Sequence, residues 1–511
     1  FKLILIDNHM KRNIFLLSTI LICHSCDSYL DTVPTDRFTQ ETYWNSQQKV
    51  EAALVGAYSV LNNGNSFYAA GNMVYLDALT PNTYQYNNDM NLISRGLHDA
   101  NTGRFNTTWN QAYEGIGRVN NILANIDDIE FDQKLKDRYK AEAKFLRALY
   151  YFPLWNLYGG TPLILDAPNL ESQGELSRNS ADELYAQIIK DLNEASSGAL
   201  ANSYSGSEKG RATQGAVLAL KTRVYLYASK WKEAAETAKQ IINSNTYELF
   251  NDYRGLFYLE NEGNKEVIFD IQYAYPEYAH SLDVSLDQQL GSAPLPNLIN
   301  DYYATDGLPI TSSQVYDAQK PYDNRDPRLQ ATVILPGTTF KGAIVTANQY
   351  PSTGAGLKKY TIYKDNEKPI AVQTSGTSEL NYIVFRYADI LLSFAEAQNE
   401  RNGPSDEIFD ALDKIRIRVG MPKFDRTLSQ EQLRKEIRHE RRIELAGEGL
   451  YYFDIRRWNI AHEVLNSDVY HLNGNRIDSR AFQKDRDYYW PIPSIAIQFN
   501  DNLEQNPNYG K

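Results

Sequence analysis

Helix-length apolar stripes follow one another in close pairs along this chain, and their serial arrangement limits the fold more than any other feature. The most legible pair is "AVLALKTRVYLYASKWKEAAETAKQIINSN", which begins at Ala216. Tyr225, Ser229, Trp231, Glu233, Ala234, Ala238 and Ile241 stand there at tetratricopeptide-repeat offsets. In such a repeat, small residues let two helices approach and aromatic rings fill the space between them. Other stripes precede this pair. Val50, Ala53, Leu54, Ala57, Tyr58 and Leu61 fall on one face of a helix that begins near Gln47 and stops at the "NNGNS" loop. The pattern returns from Trp109 in "WNQAYEGIGRVNNILANID", then in "KLKDRYKAEAKFLRALYYFPLWNLYGG". "NSADELYAQIIKDLNEAS" follows, with Asn179 or Ser180 as its N-cap. One helical hairpin cannot bury its apolar side alone, so hairpins in series stack into a solenoid.

Between about Asn251 and Glu379 no helical stripe survives. Prolines recur from Pro276 to Pro369 and exclude long helices. Loops, short helices and small strands such as "VIFDIQYAY" and "ATVIL" remain. The aromatic and apolar content points to an ordered region, and long ordered connections inside a domain are commonly functional. Helix resumes in "FRYADILLSFAEAQNERNG", "SDEIFDALDKIRIRVGMP" and "SQEQLRKEIRHERRIELAGEGLYYFDIRRW", and a Pro-rich aromatic tail closes the chain. The expected division is a helical-repeat region at 47–250 and a second region at 251–511, irregular over about 251–380.

The amino-terminal residues read as a secretory leader. Met10, Lys11 and Arg12 precede the apolar run "IFLLSTILIC". We place a signal peptide at residues 1–25, with Met10 as the expected true start. The run is shorter than the roughly 20 apolar residues that span a bilayer. Cys23 and Cys26 are the only cysteines of the 511 residues. A redox Cys-x-x-Cys pair belongs beside a βαβ unit, and a zinc site needs two further ligands that this stretch lacks. Ser25-Cys26 resembles the end of a bacterial lipoprotein signal, although Cys23 and His24 depart from the usual pattern. Cys26 is therefore the expected lipidated first residue, and residues 26–46 the tether behind it. The net charge of −12 argues against a nucleic-acid partner.

Patterns that carry catalysis are missing. The seven histidines include no HExxH, and there is no GxSxG, GxxxxGK or GxGxxG. Paired carboxylates of the glycosidase kind leave no trace in spacing. The run "RKEIRHERRIE" mixes signs at i, i+4 and is expected to pair along its own helix face, with some arginines reaching buried carboxylates or carbonyls. No cofactor is indicated, and whether a metal ion braces a loop is left open by the residue pattern.

Seven segments in order resemble the SusD/RagB outer-membrane lipoproteins. They are "YLDTVP" from Tyr29, "AEAKFLRALYYFPLWNLYGGTPLI" from Ala141, "PLPNLINDYYATDGLPI" from Pro294, "NRDPRL" from Asn324, "FRYADILLSFAEAQNE" from Phe385, "IRHERRIELAGEGLYYFDIRRW" from Ile437 and "YYWPIPSIAIQFNDNLEQNPNY" from Tyr488. The resemblance implies a mainly α fold, with four tetratricopeptide-like helix pairs carrying a large irregular loop-rich region and a few short strands. It implies no catalysis. It also implies a SusC-like TonB-dependent barrel as partner, with the lipoprotein acting as its lid at the outer membrane, facing the cell exterior. Oligosaccharides are the typical ligands, and peptides or glycopeptides are handled by some members.

The residues themselves suit a glycan. Tyrosine outnumbers phenylalanine, 37 to 19, and its ring covers sugar C–H faces while Asn, Asp and Arg meet the hydroxyls. Two loops carry that mixture: "TPNTYQYNNDMN", with Tyr84, Tyr86, Asn87, Asn88 and Asp89, and "IQYAYPEYAH", with Tyr273, Tyr275, Tyr278 and His280. The six tryptophans fall in scaffold segments and are assigned to the core. A glycan-capturing subunit of a nutrient-uptake complex is the expectation. A secreted glycan-cleaving enzyme, a peptide or glycopeptide binder and a pure scaffold lipoprotein are the rivals.

Overall fold

The computed structural model describes residues 43–86, 89–371 and 373–510. The expected leader, Cys26, Asn87 and Asn88 lie outside them. Helix α1 (Gln47–Asn62) buries Val50, Leu54, Ala57, Val60 and Leu61, the stripe visible in the sequence. The short helix α2 (Ala70–Val74), the two-residue strand β1 (Thr83–Tyr84) and helix α3 (Asp89–Ser94) follow. Helix α4 (Gly103–Asn125) then packs back on α1. Each later helix packs on its predecessor: α5 (Gln133–Pro153), α6 (Ala181–Ala195), α7 (Gln214–Tyr227) and α8 (Trp231–Asn243).

Local chemistry sets the ends. Ser180 caps α6 in a reciprocal box with Glu183, while Asn179 turns aside to accept from Leu163 N at 2.9 Å. Helix α5 runs to Pro153, which has no N–H, and the chain widens there into a π turn over Leu154–Tyr158 before Gly159 stops it at φ 77. Helix α4 begins at Gly103, before Trp109, because a distant carboxylate caps it: Asp89 Oδ2 accepts from Arg104 N at 2.6 Å.

The irregular region leaves the solenoid after α8 and returns to it. Its neck is an antiparallel pair, β2 (Val267–Ile271) against a later strand at Tyr382–Arg386. Between them come α9 (Leu282–Asp287), β3 (Ala293–Pro294), which pairs with β1, and β4 (Val333–Ile334), which pairs with β5 (Gly356–Leu357). After β6 (Tyr382–Arg386), α10 (Tyr387–Asn402) packs on α8 as though nothing intervened, and α11 (Asp406–Arg418) packs on α10. The solenoid thus has four helix pairs, α1/α4, α5/α6, α7/α8 and α10/α11. Its core is continuous across them, and the irregular region adds small cores of its own, one around Tyr302 and Leu329 and another around Phe340 and Tyr350.

The stretch from Ser429 to Trp458 is two helices, α12 (Gln430–Glu444) and α13 (Tyr451–Arg457). Gly447 and Gly449, at φ 78 and 76, turn the chain between them. A Cβ on Gly449 would overlap the Met73 carbonyl oxygen, and Gly447 N donates to the buried Asp77 at 2.6 Å. This turn is therefore seated against α2 and the segment behind it. The expected self-pairing of "RKEIRHERRIE" is corrected: the run pairs outward. Arg441 donates to Asp389 and Asp454, Glu440 accepts from Arg328 and Arg416, and Glu444 accepts from Arg328, Arg386 and Arg418. These side chains lie on the buried face of α12, so their nearest opposite charges belong to other elements. A hairpin, β7 (Asp468–Tyr470) and β8 (Arg476–Ser479), precedes the tail. Among the described residues no helix is long and apolar enough to cross a membrane.

Candidate functional site

The two tyrosine-rich loops, far apart in sequence, converge on helix α2 and the turn after it. From one side Tyr273 accepts from Ala70 N at 2.9 Å. From the other, Arg104 donates to Asn72 Oδ1 at 2.8 Å, and Arg104 N is held by Asp89. Tyr75 bonds Ser285 of α9. Asn72, Tyr75, Arg104 and Asp89 thereby form a polar floor between the loops. Burial lowers the Arg104 guanidinium, and Asp89 opposes that shift.

The predicted residues that the structure describes, Tyr84, Tyr86, Asp89, Tyr273, Tyr275, Tyr278 and His280, divide into two groups. Tyr86, Tyr275 and Tyr278 are 60%, 58% and 56% exposed, so their rings face solvent. The others are supports. Tyr84 is only 8% exposed; it sits in β1 opposite Ala293 and donates to Asp478 at 3.0 Å. Burial and the Asp478 carboxylate push its phenol up to about 12. Tyr273 is 9% exposed and stands edge-on to His280, with centroids 4.4 Å apart. His280 Nε2 lies 2.7 Å from Leu380 O while Nδ1 accepts from Leu282 N, so the Nε2–H tautomer fits, and burial lowers the ring's pKa. Asp89 caps α4. Tyr84 is closed over by Leu295, Val469 and Ile477, and Tyr273 by its bond to Ala70 and the edge-on His280 ring.

Four residues, the floor's Asn72, Tyr75 and Arg104 and the Ser285 that Tyr75 bonds, were invisible in the sequence. Asn72, Tyr75 and Arg104 lie in ordinary helical text, and Ser285 follows no motif. Beside Tyr278 a cleft of about 250 Å³ opens between α1 and the end of β2, lined by Tyr58, Asn62, Lys209, Arg211 and Gln272. Two carboxyls nearby have raised pKa values. Burial pushes Glu262 up to about 7 and Asp270 upward too. Both are tied: Asp270 accepts from Gln272 at 2.6 Å and Asn381 at 3.0 Å, and Glu262 accepts from Asn381 N at 2.7 Å. Among the described residues no group of three or more His, Cys, Asp or Glu is placed to hold a metal ion.

The helical-repeat scaffold thus ties loops distant in sequence to α2 and α4 and leaves three of their tyrosine rings exposed. Two family models match the chain: "SusD family" over residues 258–509 and "Starch-binding associating with outer membrane" over residues 28–226. The chain belongs to the SusD family. A SusD-like carbohydrate-binding protein of Bacteroides fragilis is 29% identical and superposes with a TM-score of 0.81, covering 91% of this chain and 100% of its own. A laminarin-binding SusD-like protein is 26% identical with a TM-score of 0.68, covering 91% and 100%. A SusD-like protein of Formosa agariphila is 27% identical over 528 residues, 97% of this chain and 98% of that one.

Proposed function

We propose that this protein captures oligosaccharide at the bacterial surface and does no chemistry on it. The observation that carries this reading is the exposure of Tyr86, Tyr275 and Tyr278 on two loops whose buried residues are tied to α2 and α4, Tyr273 through Ala70 N and Asp89 through Arg104 N. Exposed rings supply stacking surface and the floor supplies directed hydrogen bonds, a combination that binds sugars and still releases them. The carbohydrate-binding and laminarin-binding relatives support glycan over peptide. Cys26 is the attachment to the outer membrane, on its exterior side, and a SusC-like TonB-dependent barrel is the partner over which the protein closes as a lid. No cofactor takes part.

Calorimetry of the purified protein against laminarin and starch oligosaccharides tests this. Saturable binding is expected, and Tyr275→Ala and Tyr86→Ala should each weaken it about tenfold, or ~1.4 kcal/mol. Release of reducing ends over many turnovers would instead establish a glycan-cleaving enzyme, with Glu262 and Asp270 the first carboxyls to replace.

A further inference from the structure

The loop that carries Tyr86 is held on either side, at Tyr84 and at Asn91, by a hairpin almost four hundred residues downstream. Asp478 Oδ2 accepts from Tyr84 and from Asn91 Nδ2, each at 3.0 Å, and Oδ1 faces Arg95 Nε at 3.3 Å. Burial alone would raise this carboxyl; the Ser479 N–H, Asn91, Tyr84 and Arg95 together hold it below its ordinary range. Just beyond β8 the buried Arg480 donates to the carbonyls of Ala78 (2.8 Å) and Thr83 (2.7 Å), and Ala481 N donates to Ser94 O at 3.1 Å. Burial lowers the Arg480 guanidinium to about 10. A cation desolvated in this way carries a cost that a decorative hairpin does not require. Val469 and Ile477 complete the grip by packing with Tyr84 and Leu295.

At its turn the same hairpin reaches the irregular region. Leu472 N donates to Thr353 O at 2.8 Å. Gly354, at φ 91, leaves room for the His471 ring, where a Cβ would lie 2.9 Å from Cε1. The outward side of the hairpin carries Asp468, Tyr470 and Arg476, all exposed, with Tyr470 opposite Arg476. Arg476 Nε meets Asp468 Oδ1 at 2.8 Å, which fixes the guanidinium beside the ring. Tyr470 OH also donates to Asp468 Oδ2 at 3.5 Å, and an exposed phenol ring beside a guanidinium reads sugar faces and hydroxyl or carboxylate groups.

We propose that the β7–β8 hairpin is a third wall of the glycan face. Asp478 and Arg480 are positioning residues that set the loop bearing Tyr86, and Tyr470 with Arg476 are contact residues that discriminate among glycans. This rests on the glycan-binding reading, so the test has an arm that needs no glycan. In the full chain without ligand, Asp478→Ala and the gentler Tyr84→Phe should each speed amide exchange over residues 83–97 at least tenfold while 133–153 keeps its rate. Unchanged exchange over 83–97 in both variants overturns the positioning role. With laminarin and starch oligosaccharides, Tyr470→Ala should weaken binding about fivefold and alter the preference between the two. Tyr489→Ala, an exposed tyrosine outside the hairpin, should change neither. Asp478→Ala and Tyr86→Ala should combine non-additively, which a merely structural role would not produce. Glycan binding that Tyr470→Ala and Asp478→Ala leave intact overturns the third wall and spares the glycan reading. A wild-type protein that binds no glycan removes that reading, and the exchange arm still decides the positioning claim.

Discussion

The repeats and the irregular region satisfy their backbones in different ways. In α4 through α8 the helices bond their own peptide groups, and side chains are left to fill the seams. There the buried Arg147 meets carboxylate, forking onto Asp191 at 2.8 and 2.7 Å. In the irregular region carbonyls have no ladder to join, and arginines take its place. Arg325 spans the carbonyls of Ile299, Tyr302 and Pro321, and Arg254 those of Thr361 and Tyr363. Arg386 knits the neck strand β6 to Glu266, Glu444 and Glu448. A guanidinium has five donors in a rigid plane, so one side chain replaces several missing backbone partners. An irregular surface can be held firmly in this way, as a ligand face must be.

Removing one partner should therefore hurt the irregular region most. Arg386→Met would take one of two or more cationic partners from each of three buried carboxylates, Glu266, Glu444 and Glu448, and cost about 4 kcal/mol, against about 3 kcal/mol for a cavity from Leu146→Ala in α5. Urea denaturation compares the two, and a milder Arg386→Met would break the contrast. Acid should separate the regions next. Burial raises the Glu440 carboxyl, but Arg328 and Arg416 overcome it and hold it at about 2. Its folded pKa lies below the unfolded one, so the stabilisation is present above roughly pH 4.5 and disappears as pH falls toward 2, on the order of 3 kcal/mol. Glu142 in α5 has the opposite sign. Burial raises it despite Arg211, so its contribution is complete below the unfolded pKa and declines as pH rises. Amide exchange along an acid titration should then show α12 loosening before α5.

A smaller loss, about 2 kcal/mol, is expected for Arg325→Lys, because a point cation cannot reach three carbonyls at once. Thermal denaturation measures it. Ser180→Ala should cost about 1 kcal/mol by opening the α6 capping box, and the loss of helix there should stay local in amide exchange.

This contrast also explains what could be read from the residues alone. Apolar stripes such as Val50–Leu61 and the capping box at Ser180 are local, and helices stand where they indicated. The start of α4 was not legible, because its cap is Asp89, a residue read as a ligand contact. The split of α12 from α13 was missed as well: the reason for Gly449 is a carbonyl on α2, distant in sequence. Tyr86, Tyr275 and Tyr278 carry the exposure that a ligand ring needs, whereas Tyr84 and Tyr273 look identical in composition and differ only in which neighbours close over them. Asn72 and Arg104 gain meaning only when the loops meet.

Amide exchange of the wild-type protein, with and without a saturating oligosaccharide from the calorimetric series, tests the location of the ligand face most directly. Protection is predicted to concentrate in residues 81–97, 273–281 and 468–481, with α5, α7 and α8 unchanged. Protection that falls on those helices and spares the three segments would contradict the account.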